Sequence, residues 1–483
     1  MNKPIRQLAT VVVIMFVALM AATTGIQFFQ ADSLNADSRN VRTLYREFGT
    51  NRGPIIVSGQ SIASSKSVDD PYKFQRVYSS DIYSNVTGYF SVTHNAMTGI
   101  EKAMNSVLGG SDSSLFQQRI NQLLTGQEAE GGAVELTLDA TVQQAAVTAM
   151  DGKEGAVVAL DPTTGAILAQ VSLPTYDANS IATHDADAAN TAWEELSADS
   201  EQPLADKAIA GDQYAPGSTF KMLTASAMLE NNSELTPDTL IDAPTSWTLP
   251  ESNHTIFNPG KAACGDGSGK ATLKQAFIQS CNTAFAIGGV SVGADAMIEQ
   301  AKKFGFGDTI TTPLAVTASR FPEPASDAAL AMDSFGQQDI MVTPMQMAMI
   351  AAAIAHDGTL MKPYLVKQTL TSDLKPVDVT EPTVYSTPIS EKTAEYLKEM
   401  MVADVKEGTG WRAAIDGIEV AGKTGTAEIG DNGERNSWFV AFAPADDPQI
   451  VVAVLVQNDS VTGDGGSTAA PIAKQIIEAK LGK

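Results

Sequence analysis

Gly155-Ala156-Val157-Val158-Ala159-Leu160-Asp161-Pro162-Thr163-Thr164-Gly165-Ala166-Ile167-Leu168-Ala169-Gln170-Val171 is two apolar, strand-like runs around an Asp-Pro-Thr-Thr-Gly turn, the pattern of a β-hairpin. A second pair lies near the other end of the chain, where Trp438-Phe439-Val440-Ala441-Phe442 and Ile450-Val451-Val452-Ala453-Val454-Leu455-Val456 flank Pro444-Ala445-Asp446-Asp447-Pro448. Between the pairs, Lys221–Leu229, Lys274–Phe285 and Thr343–His356 are Ala, Met and Leu rich at helical spacing, and Ala470–Leu481 closes the chain as a helix. Strands at both ends with helices between predict an α+β domain, an antiparallel sheet whose first and last segments meet under a helical insert. Trp438, Phe439 and the Met341–Met349 run read as core of this domain rather than as recognition surface. Phe306 between Gly305 and Gly307 reads as turn packing, and Asn432-Gly433 as a turn.

Working towards the N-terminus, the chain is polar from Asp32 to about Gly152, with short apolar patches and Gly/Ser punctuation at Gly109-Gly110-Ser111-Asp112. That is the pattern of a modest separate domain. Before it, Lys3 and Arg6 precede an uncharged stretch from Leu8 to Ile26, roughly 19 residues or about 28 Å as a helix, enough to span a bilayer core. Basic residues before the stretch and Asp32 and Asp37 after it predict a cytoplasmic tail over 1–7, an anchor over 8–28 and everything else outside the membrane. A cleaved signal peptide is the alternative, but its apolar core is usually only about 7 to 15 residues long.

The 483 residues carry a net charge of -24, which repels a phosphate backbone, so nucleic acid is not an expected partner. Cys264 and Cys281 lack zinc-site spacing, and the four histidines form no ligand-like cluster, so no metal or other cofactor is expected. In an extracellular domain the two cysteines leave two readings open: a disulfide worth about 3 kcal/mol for a loop of this size, or two small buried thiols.

The chemistry lies in three short motifs. Tyr214-Ala215-Pro216-Gly217-Ser218-Thr219-Phe220-Lys221 is a turn leading into an apolar-periodic helix, with Ser218 at the helix start and Lys221 one turn on, on the same face. A helix terminus favours negative charge developing on the serine, and the serine's own N–H is free for an oxyanion. The lysine can take the hydroxyl proton when its surroundings keep it neutral. Alone the motif means little, since Ser372-Asp373-Leu374-Lys375 repeats it in a stretch that reads as an exposed loop. Ser-x-Asn likewise recurs at Ser33-Leu34-Asn35 and Ser38-Arg39-Asn40. Order and context discriminate. Ser218-Thr219-Phe220-Lys221 is followed by Ser280-Cys281-Asn282 within a helical stretch, then by Lys423-Thr424-Gly425-Thr426 after the strand-like Ile418–Ala421.

That ordered triplet is the signature of penicillin-recognising serine acyltransferases. Over nearly its whole length the chain resembles the class B penicillin-binding proteins, also through Arg52-Gly53-Pro54-Ile55, the Gly155–Gly165 segment, Gly336-Gln337, Thr343-Pro344-Met345-Gln346-Met347-Ala348 and Asn436-Ser437-Trp438-Phe439-Val440-Ala441. It departs from the family pattern at Val57-Ser58-Gly59, where Asp-Arg-Asn often stands. With no segment that reads as a glycosyltransferase, the bifunctional type is not expected. The resemblance implies a serine β-lactamase-like fold with a five-stranded antiparallel sheet between helical layers. It also implies a dimerisation-like pedestal over 29–152 and a transpeptidase domain over 153–483. It implies peptidoglycan cross-linking, with stem peptides as substrate, β-lactams as acylating ligands and a membrane glycan polymerase as partner. By resemblance Ser218 attacks the penultimate D-Ala carbonyl, Lys221 takes its proton, Ser280 relays a proton to the leaving amine and Asn282 holds the peptide amide. Lys423, Thr424 and Thr426 engage the terminal carboxylate, Gly425 lets the substrate lie against the strand, and the N–H groups of Ser218 and Thr426 form the oxyanion hole.

Rival readings share parts of this pattern. A β-lactamase of the nearest class has a Glu-x-x-Leu-Asn segment that is absent between Asn282 and Lys423. A D,D-carboxypeptidase differs only in letting water take the acyl group. A non-catalytic scaffold of the wall-building machinery has no need of all three motifs intact.

Overall fold

The computed structural model describes residues 3–26, 48–126, 130–211, 213–429, 434–459 and 463–483. Asp32, Asp37, the Ser33–Asn40 segment, the end of the expected anchor at 27–28 and the Asn432-Gly433 turn lie outside these residues.

Side chains along a strand alternate between the two faces of its sheet. In Gly155–Leu160, Val157 and Ala159 enter one core and Ala156, Val158 and Leu160 the other. Ile450–Asp459 does the same, with Val452, Val454 and Val456 on one side and Val451, Ala453 and Leu455 on the other. Burial on both faces is why these strands read as unbroken apolar runs. They form the centre of a five-stranded antiparallel sheet in the spatial order Ala421–Ile429, Glu434–Ala443, Ile450–Asp459, Gly155–Leu160, Ile167–Leu173. The first and last segments of the domain meet there, Val157 opposite Val454. Helices Ala140–Met150 and Ala470–Leu481 cover one face. On the other lies Pro344–Ala355, buried at every residue, with the helical insert beyond it. Trp438 and Phe439 are both fully buried, on opposite faces of the sheet.

The smaller domain is built on a six-stranded sheet in the order Pro376–Val379, Val366–Leu370, Ala133–Leu136, Ile55–Val57, Gln60–Ser67, Phe74–Tyr78. Its first two strands come from far along the chain, and Ser372-Asp373-Leu374-Lys375 is the turn that joins them. Helix Ala140–Met150, by contrast, packs against the C-terminal helix. The Arg52-Gly53 pair is structural: Arg52 and Arg76 converge on the buried Glu101 at 2.9 and 2.5 Å. A Cβ on Gly53 would lie 1.9 Å from the Gly132 carbonyl oxygen. At the N-terminus, Lys3–Thr24 is a helix long and apolar enough to cross a membrane, with none of its residues buried.

Three expectations need correction. Lys274–Phe285 is not one helix but two, Leu273–Ile278 and Asn282–Val292, broken at a Ser280 with φ of 54°. Ser218 lies in a 3₁₀ turn, Gly217–Phe220, and the α-helix starts at Lys221. The strand carrying Lys423 begins only at Ala421, so the motif lies inside the strand and Ile418–Val420 does not belong to it.

Candidate active site

The three motifs meet on one edge of the sheet. Gly217 N–H donates to the Gly336 carbonyl (2.9 Å), and a Cβ on Gly217 would fall 2.5 Å from the Thr426 carbonyl oxygen. Only glycine fits there, because φ is +53° and the strand backbone is already in contact. Trp438 Nε1 donates to the Ala215 carbonyl (3.0 Å), tying the neighbouring strand to the loop before the serine. Ser218 is thus held between the strand edge and the Gly336-Gln337 segment.

Lys221 is fully buried, and its Nζ meets Ser218 Oγ (2.9 Å), the Ser280 carbonyl (2.7 Å), Ser280 Oγ (3.2 Å) and Asn282 Oδ1 (2.8 Å). The Ser280 carbonyl and Asn282 Oδ1 can only accept, so they occupy both N–H groups of a neutral amine. Its lone pair is then left for the Ser218 hydroxyl proton. Burial, followed by the positive charge of Lys423, holds the Lys221 pKa well below the usual lysine value, against an opposing pull from Asp404. The broken helix is what makes this cage: the left-handed backbone at Ser280 aims a carbonyl at Lys221 that a continuous helix would have turned along its axis. Cys281 is joined to Cys264 by a disulfide with Cα atoms 6.0 Å apart, which pins the break.

Lys423 does not reach the cleft. It is fully buried behind Ser280, donating to Ser280 Oγ (3.1 Å) and to the Thr424 carbonyl (3.2 Å). Burial lowers its pKa, and Asp404 partly restores it. The structure thus differs from the expectation of a direct contact to the substrate carboxylate. Lys423 contributes a positive charge beneath the strand edge, and Thr424, Gly425 and Thr426 line the cleft. Asn282 lines the cleft and has a further role: its Oδ1 accepts from Lys221 and its Nδ2 donates to the Phe257 carbonyl (2.9 Å), which leaves a second amide hydrogen and a second lone pair. Gly425 is in tight contact beneath the strand, where a Cβ would lie 2.8 Å from the Thr219 methyl group.

The cleft holds about 800 Å³ and is open to solvent along the strand. Sequence reasoning missed several of its walls. Phe257 on one side and Trp411 with Arg412 on the other line it. Gly408-Thr409-Gly410 also lines or backs it, with Thr409 Oγ1 2.5 Å from Thr424 Oγ1. Two glycines around a threonine at the end of a long helix are the signal that could have marked this loop. Among the described residues no group of acidic, histidine or cysteine side chains is arranged to hold a metal ion.

The family model of the penicillin-binding protein transpeptidase domain matches residues 155–478, and that of the penicillin-binding protein A dimerisation domain matches 52–134. The chain is 42% identical over 494 residues to the peptidoglycan D,D-transpeptidase PbpA of Mycolicibacterium smegmatis, covering 100% of this chain and 99% of that one. It is 40% identical over 493 residues to PbpA of Mycobacterium tuberculosis, with the same coverage. The solved structure of M. tuberculosis penicillin-binding protein A in its ceftriaxone acyl-enzyme complex superposes with a TM-score of 0.87 at 39% identity, covering 90% of this chain and 100% of that one. Its penicillin G acyl-enzyme complex superposes at 0.85, with 39% identity, 89% of this chain and 100% of that one. The chain therefore belongs to the penicillin-binding proteins, as a class B peptidoglycan D,D-transpeptidase of the penicillin-binding protein A type.

Proposed function

We propose that cross-linking proceeds through an acyl-enzyme on Ser218 and that the same serine is acylated by β-lactams. The single observation that carries this reading is the contact between Ser218 Oγ and a buried Lys221 whose remaining partners can satisfy it as a neutral amine. Ser218 Oγ attacks the carbonyl of the penultimate D-Ala as its proton passes to Lys221 Nζ. The resulting oxyanion sits against the N–H groups of Ser218 and Thr426. Collapse breaks the peptide bond and leaves an ester on Ser218. The departing D-Ala amine takes a proton through the Ser280 hydroxyl, which lies 3.2 Å from Lys221 Nζ. An amine of a second stem peptide then attacks the ester, its proton leaves by the same route, and Ser218 regains its hydrogen. Thr424 and Thr426, over the charge of Lys423, receive the terminal carboxylate.

Helix Lys3–Thr24 serves as a single-pass anchor, with residues 1–7 cytoplasmic and the catalytic domain outside. A membrane glycan polymerase is the partner implied by the family resemblance. The reading is tested by a time course of fluorescent penicillin labelling on the full-length chain in detergent micelles, with the adduct followed after chase. Wild type is expected to form a long-lived adduct and Ser218→Ala none. Labelling that persists in the variant would remove Ser218 as nucleophile, and fast decay in wild type would identify a β-lactamase.

A further inference from the structure

Asp404 lies on helix Glu391–Glu407, outside all three motifs, and is fully buried. The Gly408-Thr409-Gly410 loop wraps its carboxylate. Oδ1 accepts from Thr409 N–H (3.0 Å) and Thr409 Oγ1 (2.9 Å), and Thr409 Oγ1 in turn contacts Thr424 Oγ1 (2.5 Å). A Cβ on Gly408 would lie 2.5 Å from Oδ1, and one on Gly410 would lie 3.0 Å from Oδ2. The two donors on Oδ1 favour the ionised carboxylate, while burial, with no hydrogen-bond partner on Oδ2, opposes it.

Removing an ammonium group such as that of Lys423 from water costs several kcal/mol unless an opposite charge is near. Lys221 and Lys423 are both fully buried and repel one another. The elements packed on the Asp404 helix contribute few charged groups. Lys274 is held by Glu399 (2.9 Å), Glu230 accepts from Ser390 (2.7 Å), Glu428 pairs with Arg435 at the surface (3.6 Å) and Arg412 stacks on the exposed Trp411. The packed helix Pro344–Ala355 carries no charged group. Among the described residues on the Asp404 helix and the elements packed on it, Asp404 is the buried carboxylate, while Asp333, also buried, lies on the separate helix Asp327–Asp333.

We propose that Asp404 is a positioning residue of the active site, the buried counter-charge that keeps Lys423 cationic and, through Thr409, ties that charge to the carboxylate-binding edge at Thr424. This rests on the reading of that edge as the substrate-carboxylate site. Burial raises the Asp404 pKa and lowers that of Lys423, and each charge opposes the other's shift, so the proposal requires a window between the two folded values in which both groups are charged. Below that window Asp404 is neutral, and above it Lys423 is neutral.

The test is thermal unfolding of the full-length chain in detergent micelles from pH 4 to 10, for wild type, Asp404→Asn, Lys423→Met and the double variant. The melting temperature lost in Asp404→Asn is expected to be greatest inside the window and to shrink towards both ends. In the Lys423→Met background the same substitution is expected to cost nothing or to stabilise. A loss independent of pH, or equal with and without Lys423, overturns the proposal. Should Asp404→Asn alone fail to fold, the double variant is compared with Lys423→Met: a further loss of melting temperature overturns the proposal, and no loss upholds it. Acylation by fluorescent penicillin adds a second reading: the alkaline limb should move down by about 1 to 3 pH units in Asp404→Asn. An unfolding pattern as expected with no acylation in wild type would leave Asp404 in this role and instead remove the Ser218 reading.

Discussion

The pedestal and the active site each bury two basic side chains with one carboxylate, and they use them in opposite ways. In the pedestal Arg52 and Arg76 touch Glu101 directly, at 2.9 and 2.5 Å. Burial pushes the Glu101 carboxyl up, but the charges of Arg76 and Arg52 bring it below its ordinary value. In the active site Lys221 and Lys423 instead contact hydroxyls, carbonyls and an amide, while Asp404 is shared at a distance. Both lysines titrate low as a result. Charges in direct contact make a staple, whereas buried lysines without an ion-pair contact are kept ready to release or accept a proton.

The largest expected effect comes from Lys221→Arg. A guanidinium stays charged and cannot serve as base, so acylation should fall by about 10²–10⁴-fold, the range for a lost general base. Stopped-flow labelling checks this, and a rate near wild type would end the comparison at its catalytic end. Next is Glu101→Gln, which leaves two buried guanidinium groups without their carboxylate and should cost about 3 to 5 kcal/mol of stability. Denaturant unfolding measures it, while acylation at permissive temperature should stay near wild type. Because the folded pKa of Glu101 lies below its unfolded value, its contribution is complete above the unfolded pKa and is lost as pH falls through the folded one. The variant's stability should therefore respond less to acid below about pH 4.5 than that of wild type. The smallest effect is expected at an exposed pair. Lys274→Ala removes the 2.9 Å contact to Glu399, where both side chains are solvated, and should change stability by less than about 1 kcal/mol. A loss as large as that of Glu101→Gln would show that burial is not what separates the sites.

Much of this was legible in the chain itself. Apolar runs at 155–171 and 438–456 announced an antiparallel sheet whose first and last segments meet, and the ordered Ser218, Ser280 and Lys423 motifs announced the chemistry. The break at Ser280 was not legible, because the residues on both sides carry helical periodicity and only the contacts of the folded site require a left-handed residue there. Around the Ser372–Lys375 loop the sequence announced no strands, yet Val366–Leu370 and Pro376–Val379 complete the pedestal sheet, the first beside Ala133–Leu136, a pairing between segments more than two hundred residues apart.

By its order of residues alone the chain determined which side chains could serve as nucleophile and base, which strands are central and that its N-terminal helix is long enough for a bilayer, since each follows from local pattern or residue chemistry. Only the tertiary structure decided that Lys423 lies behind Ser280 rather than in the cleft, that Asn282 serves Lys221, and that Asp404 shares their interior. Burial and charge coupling depend on what surrounds a side chain in space, and those surroundings come from segments with no pattern in common.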